Sequence, residues 1–140
     1  SAIVCKAQGT RLLIKAYCPH MNPSDLHGLV QTAFNGRDLD GLVALYESDA
    51  WLFGPEGPVH GTDAIHAAWG GMLGMSEHIE LETVYAIEQG ELALLSNRWT
   101  ATVDGGGEVS AVSAEVARRQ PDGSWKYVID NPDAAGALTE

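Results

Sequence analysis

The stretch HIELETVYAIE at residues 78–88 decides the fold, because its apolar residues alternate with polar ones. A period of two is the pattern of a half-buried β-strand. Three similar stretches follow, separated by turn-forming residues such as Gln89-Gly90 and Pro121-Asp122-Gly123: ELALLSNRWTATV (91–103), VSAVSAEVARRQ (109–120) and SWKYVIDN (124–131). The second half of the chain therefore predicts a meander of four long antiparallel strands.

The first half of the chain has helical spacing instead. A first helix begins after Ser24 and ends at Asn35-Gly36, and a second is predicted over residues 38–49. A short strand over residues 50–54 and a third helix from about Thr62 follow. Helices first and strands later indicate an α+β fold, with three N-terminal helices packed in a strongly curved, mainly antiparallel sheet.

Size and charge exclude several classes of function. A chain of 140 residues fits one domain, and no apolar run approaches the roughly 20 residues that span a bilayer. The short apolar runs predict no membrane partner, and the net charge of −11, which repels phosphates, predicts no nucleic-acid partner.

Residues 1–20 differ from the rest, because they contain three basic residues, no acidic residue and both cysteines, Cys5 and Cys18. Two cysteines in one short arm do not make a disulfide framework, so we expect free thiols and a cytoplasmic location. We interpret residues 1–20 as an N-terminal extension and residues 21–140 as a single domain.

The histidines do not suggest a metal site. His60 and His66 are six residues apart, which is not a spacing that zinc ligands favour. We therefore expect neither a metal nor a cofactor.

Three segments resemble the nuclear-transport-factor-two-like superfamily, in its SnoaL-like and ketosteroid-isomerase-like branch: GRDLDGLVALYESDAWLFGP (36–55), GTDAIHAAW (61–69) and DGSWKYVIDNP (122–132). The resemblance covers about residues 24–133. It implies a cone-shaped α+β barrel in which a bent sheet wraps around helices and encloses a deep, mostly apolar pocket. It also implies a homodimer that packs through the outer face of the sheet.

A position-by-position comparison with that branch argues against a true ketosteroid isomerase. The position of the general base carries Gly54, and the position of the oxyanion-binding tyrosine carries Val30. A second donor position falls on Glu115, and a supporting aromatic position falls on Trp69.

Strand alternation extends this interpretation to the pocket. If Glu115 points inward, we expect the following residues to do so too: Ser113, Ala117, Val128, Asp130, Leu94, Ser96, Arg98 and Thr100. An apolar outer stripe for dimerisation would then consist of Leu95, Trp99, Ala101 and Val103.

These expectations define a candidate site. Asp130, Glu115 and Arg98 are the candidate catalytic residues: Arg98 contacts one acid, and the other has a raised pKa and acts as acid or base. Asp130 is the better base candidate. The candidate ligand-binding residues are Trp69, Val30, Ser96, Asn131 and, at the pocket mouth, His60.

Two functions stay open. The first is a cofactor-independent isomerase, cyclase or dehydratase that acts on a small hydrophobic molecule. The second is a non-catalytic ligand-binding or dimerisation module, in which Arg98, Glu115 and Asp130 form only a structural ion-pair network.

Overall fold

The computed structural model describes residues 21–136. Its elements in chain order are α1 (Asp25–Asn35), α2 (Leu39–Val43), β1 (Tyr46–Gly54), β2 (Gly57–His60), α3 (Thr62–Met75), β3 (Ser76–Gln89), β4 (Leu92–Val103), β5 (Glu108–Val112), β6 (Ala114–Arg119) and β7 (Trp125–Asn131). The predicted α+β class is confirmed. The interpretation of residues 1–20, with their thiols and the cytoplasmic location drawn from them, lies outside the described residues and stays a prediction.

The strands form one sheet in the order β2-β1-β7-β6-β4-β3, with β5 also paired to β4. The pairing is antiparallel throughout these described strands except between β1 and β7, which run parallel. The sheet is curved but does not close, because β2 and β3 remain at its two ends. Within residues 21–136, no helix has the length and apolar character needed to cross a bilayer.

The boundary between the second helix and the first strand differs from the prediction. Helix α2 ends at Val43 rather than Asp49, and β1 begins at Tyr46. The cause is non-local, because Tyr46 pairs with Tyr127 and Trp51 pairs with Ile129 in the parallel β1–β7 ladder. Pairing with a distant strand here overrides the helical spacing of the local sequence.

The predicted strand over residues 109–120 is divided into β5 and β6 at Ser113. The Ser113 backbone N–H donates to the Asn97 carbonyl at 2.8 Å, and the Asn97 backbone N–H donates to Ser113 Oγ, also at 2.8 Å. A side chain thus replaces a backbone acceptor in the ladder. As a result, β4 pairs with β5 along one half and with β6 along the other.

Side-chain hydrogen bonds hold the helices over the sheet. The Asn35 side chain, at the end of α1, both donates to and accepts from the backbone of Ile79 in β3 at 2.9 Å. The Arg37 guanidinium donates to the carbonyls of Leu73 and Ser76 at the end of α3. The Arg37 bonds satisfy carbonyls at the C-terminal end of α3, and the Asn35 bonds satisfy backbone groups of strand β3. They also leave the apolar faces of α1 and α3 against the inner face of the sheet.

The predicted facing of β4 is wrong. Leu95 lies directly opposite Glu115 in the β4–β6 ladder, and opposite residues share one face of a sheet. Leu95 is fully buried whereas Leu94 is 42% exposed. A shift of one residue turns every side chain of a strand to the other face. Trp99, Ala101 and Val103 therefore line the interior, and the predicted outer stripe does not form.

The alternation of β7 is interrupted by a bulge. Val116 pairs with Ile129 but Ala117 pairs with Tyr127, so the ladder has a bulge at Val128. Tyr127 rather than Val128 therefore faces the interior, where its side chain is 1% exposed. Asp130 keeps the inward orientation that the sequence predicts.

Candidate functional site

A cavity of about 500 Å³ lies between α1, α3 and the inner face of the sheet. Apolar side chains form most of its wall, among them Phe34, Ile79 and Trp99. Met75 and Val109 also line it and are exposed, so they mark its opening. A large apolar cavity with a few convergent polar groups is the usual form of a small-molecule site.

The first polar group on the cavity wall is Glu115, which has a hydrogen-bond partner for each carboxylate oxygen. Oε1 lies 2.7 Å from His27 Nε2, and Oε2 accepts from Asn97 Nδ2 at 2.6 Å. The other ring nitrogen of His27 lies 2.7 Å from Thr83 Oγ1. Helix α1 carries His27 and the sheet carries the other three residues, so this cluster connects the two layers. His27, Asn97 and Glu115 are each at most 3% exposed.

The second polar group on the wall is Asp130, which lies opposite Glu115 in the β6–β7 ladder. The Tyr46 hydroxyl donates to Asp130 Oδ2 at 2.5 Å. The same hydroxyl accepts from the Trp69 indole Nε1 at 3.2 Å. Strand β1 and helix α3 thus orient the carboxyl of Asp130 from one side.

The surroundings of Asp130 favour its protonated form. Burial, and after it the charge of Glu115, raise the pKa of Asp130 to about 8, although the hydrogen bond from Tyr46 lowers it. Burial and the charge of Asp130 raise the pKa of the Tyr46 hydroxyl well above its ordinary value. Tyr46 therefore acts as a donor. Asp130 exchanges its proton in the pH range where acid–base catalysts operate.

Four of the predicted site residues line the cavity: Asp130, Glu115, Trp69 and Val30. Arg98 does not. It is exposed on the outer face of β4, opposite Glu82 and Val112, so the predicted contact of Arg98 with either acid is wrong. His27 and Asn97 lie beside Glu115 in its place.

The other three predicted ligand-binding residues lie outside the cavity wall. Ser96 is buried, and its hydroxyl donates to the Ser113 carbonyl at 2.7 Å. Asn131 is half-buried, and its side-chain oxygen accepts from the backbone N–H of Asp133. His60 is exposed and stacks on Trp51 with ring centroids 4.4 Å apart.

Three residues of the site are absent from the sequence-based prediction: His27, Asn97 and Tyr46. His27 had a signal, because it shares a helical stripe with Val30 and Phe34 and is polar among apolar neighbours. The prediction misses Asn97 because it assigns the wrong face of β4 to the interior. It misses Tyr46 because the sequence pattern places this residue in a helix, whereas it begins strand β1.

Metal binding has no support in residues 21–136, where no group of three or more His, Cys, Asp and Glu side chains is arranged to hold an ion. The polar groups on the cavity wall include two carboxyls, whose partners are a hydroxyl, an amide and an imidazole. This arrangement suits hydrogen bonding and proton transfer.

Comparison with solved structures identifies the fold. A protein named Rd1NTF2_05, with five substitutions in its name, superposes with a TM-score of 0.69 at 12% identity, over 77% of this chain and 93% of that chain. A ketosteroid isomerase-like protein from Erwinia carotovora atroseptica SCRI1043 gives a TM-score of 0.65 at 20% identity, over 78% and 90% of the two chains. Identities this low show a shared fold and leave the function open.

A third structure contains a ligand. It is a hypothetical protein with a ketosteroid isomerase-like fold from Catenulispora acidiphila DSM 44928, in complex with trimethylamine. Its TM-score is 0.58 at 15% identity, over 74% of this chain and 80% of that chain. These structures have the fold that the resemblance implies.

No curated protein matches this chain in sequence. The family profile of the SnoaL-like domain matches residues 26–128, a range that includes nearly all of α1 with His27, the strands with Asn97 and Glu115, and α3 with Trp69. Because this match covers most of the chain, the protein belongs to the SnoaL-like domain family.

Proposed function

We propose that the protein binds a small, mostly apolar molecule in its cavity and that Asp130 exchanges a proton with it. The reaction class would be a cofactor-independent isomerisation, cyclisation or dehydration. The observation that carries the proposal is a buried carboxyl with a pKa of about 8 on the wall of a mostly apolar cavity.

The electrostatics of Asp130 suit this role. Below a pH of about 8 its carboxyl holds a proton that it can donate to a ligand oxygen. After donation, or at higher pH, the carboxylate is a base for a proton on a neighbouring carbon. Catalytic groups work best when their pKa lies near the operating pH, because both forms are then accessible.

Tyr46 and Trp69 support Asp130. The Trp69 N–H donates to the Tyr46 oxygen, and the Tyr46 hydroxyl donates to Asp130, so the chain of donors runs toward the carboxyl. This direction stabilises the carboxylate that remains after proton donation. Tyr46 also fixes one oxygen of Asp130 in place. We propose Tyr46 as a positioning residue and Asp130 as the catalytic residue.

Ligand binding tests the first half of the proposal, and pH dependence tests the second. A thermal-shift screen of hydrophobic metabolites should find compounds that raise the melting temperature of the protein. For such a compound, the pH profile of binding or turnover should change near pH 8, and Asp130→Asn should remove that change. Glu82→Gln is the matched control, because it removes an exposed carboxyl outside the cavity. A profile that Asp130→Asn leaves unchanged would exclude Asp130 from the role.

A second candidate function, a dimerisation module, is favoured by the outer face of the sheet. A row of apolar side chains follows the strand pairing across this face: Trp51, Ile129, Val116, Leu94 and Ile87. All except the half-buried Val116 are more than 40% exposed. This row provides an apolar surface for contact with a second copy. It lies on the outer face, where the sequence instead predicted a stripe of Leu95, Trp99, Ala101 and Val103.

We propose that two copies pack through this row. Leu94→Lys should convert a dimer into a monomer in light-scattering measurements at falling concentration. Asp104→Lys, in the exposed loop between β4 and β5, should leave the molar mass of the dimer in solution unchanged. A wild-type protein that is monomeric at every concentration would contradict the dimer but not the proposed cavity chemistry.

A further inference from the structure

The C-terminal part of helix α3, residues 70–75, is rich in glycine. It contains Gly70, Gly71 and Gly74 within five residues. After proline, glycine is the least favourable residue in a helix interior, because it loses the most backbone freedom when the helix forms. The composition of this segment therefore predicts a helical turn of low stability.

Packing does not require glycine at these positions. Beyond its own helix backbone and chain neighbours, a Cβ at Gly71 or Gly74 would meet no described atom within 4 Å. A Cβ at Gly70 would meet only a methyl group of Leu39, at 3.7 Å, which is an ordinary contact. Alanine would fit at each position and would favour the helix. The packing of α3 thus gives no reason for its weak end.

The residues on either side of the segment are held by hydrogen bonds. The Trp69 indole donates to the Tyr46 hydroxyl at 3.2 Å. The Ser76 hydroxyl, at the start of β3, donates to the Thr102 carbonyl at 2.8 Å. Between these two points, every residue from 70 to 75 is at least partly exposed. A segment with few buried side chains opens locally at a lower free-energy cost than the core around it.

One side chain from outside α3 holds the segment in its helical position. The Arg37 guanidinium donates to the Leu73 carbonyl at 3.1 Å and to the Ser76 carbonyl at 3.0 Å. Arg37 is exposed, so water can replace these bonds when the segment moves. The same guanidinium lies 5.7 Å from the centroid of the Phe34 ring, which lines the cavity. Arg37 therefore connects the end of α3 to the cavity wall.

The segment lies at the opening of the cavity. Met72 and Met75 line the cavity, and Met75 is 51% exposed. Methionine side chains are unbranched and adaptable, so they can close an opening without a fixed partner. We propose that residues 70–75 form a gate, which admits a ligand when this end of α3 unwinds, and that Arg37 keeps the gate closed. This inference rests on the proposed function, because it concerns access to the same cavity.

Amide hydrogen exchange tests the gate without a ligand. In wild-type protein, the amides of residues 72–75 should be less protected than those of residues 66–69 in the same helix. Gly71→Ala and Gly74→Ala should each slow exchange at residues 72–75 about fivefold, as the helix preference of alanine over glycine predicts. Gly28→Ala is the matched control, because Gly28 lies in α1 and also has open space for a Cβ. It should leave exchange at residues 72–75 unchanged.

Binding kinetics test the passage of a ligand. The probe is N-phenyl-1-naphthylamine, a neutral apolar compound whose fluorescence rises away from water. In stopped-flow measurements, Gly71→Ala should lower its association and dissociation rate constants together, by about fivefold, and leave the dissociation constant unchanged. A lost or gained contact with the probe would change the dissociation constant instead. Gly28→Ala should change neither rate constant.

Arg37→Gly tests the closing contact. Arg37 has a φ of 58°, in the left-handed region that glycine adopts without strain, so this variant removes the guanidinium and keeps the backbone conformation. It should raise both rate constants for the probe and increase exchange at residues 72–75.

The possible results separate the two proposals. Equal protection in the two parts of α3 would overturn the gate and leave the cavity as a binding site. Rate constants that Gly71→Ala and Arg37→Gly leave unchanged would do the same. A wild-type protein that does not bind the probe would contradict the proposed function, and the gate with it.

Discussion

Glu115 and Asp130 lie opposite each other on neighbouring strands, and both are buried, at 3% and 6% exposure, yet their surroundings differ. Glu115 has His27 at one oxygen and the Asn97 amide at the other. Asp130 accepts from Tyr46 at one oxygen. The two acids thus differ in their donors rather than in their burial. Burial and, after it, the charge of Glu115 raise the pKa of Asp130.

This difference divides the site into a structural half and a titrating half. The Glu115 cluster connects α1 to the sheet and places a charge beside Asp130. Burial and the charge of Glu115 together raise the pKa of Asp130 to about 8, so its carboxyl is protonated at lower pH.

The largest expected effect comes from His27→Ala, which removes the partner of a buried carboxylate. We expect the free energy of unfolding to fall by about 3–5 kcal/mol, the usual cost of breaking a buried pair. Urea titration measures it. His66→Ala, at a half-exposed histidine on α3, is the control and should change stability by less than about 0.5 kcal/mol. A loss below about 1 kcal/mol for His27→Ala would show that Glu115 does not depend on His27.

Asp130→Asn should change how stability depends on pH. Between a pH of about 4, where the unfolded chain loses this proton, and about 8, where the folded protein loses it, folding retains the proton. The contribution of Asp130 to stability therefore decreases as pH rises through that window, by at most about 1.4 kcal/mol per pH unit. The variant should lack this decrease, as measured by urea titration at several pH values. An identical slope in both proteins would contradict the raised pKa.

Glu115→Gln should lower the pKa of Asp130, because the charge of Glu115 is the second-largest cause that raises it. We expect a decrease of about 1, since nearby like charges have effects of at least this size. The carbon resonance of the Asp130 carboxyl, followed against pH, measures it. An unchanged pKa would mean that burial alone raises the value.

Tyr46→Phe should change the same pKa in the opposite direction, because the lost hydrogen bond lowers it in the wild type. We expect an increase of less than about 1, since a single hydrogen bond is the smallest of the three causes. The same carbon resonance reports it. A pKa that falls instead would show that Tyr46 stabilises the protonated carboxyl.

Much of the site could be predicted from the sequence. The resemblance to the SnoaL-like branch implies pocket positions for Glu115 and Trp69, and alternation extends the inner face to Asp130; all three line the cavity. These predictions succeed because the chain has the fold that the resemblance implies. The sequence could not predict which face of the sheet carries Arg98, because this depends on which residue of β4 lies opposite Glu115.

By itself the sequence determined the α+β class, the strand meander, the resemblance to the SnoaL-like family and two acids that face the interior. Only the tertiary structure decided which side chains surround those acids. The bulge at Val128, the start of β1 at Tyr46 and the pairing of Leu95 with Glu115 are all set by contacts between residues distant in the chain. Local periodicity carries no information about such pairings, and a shift of one residue exchanges the inner and outer faces.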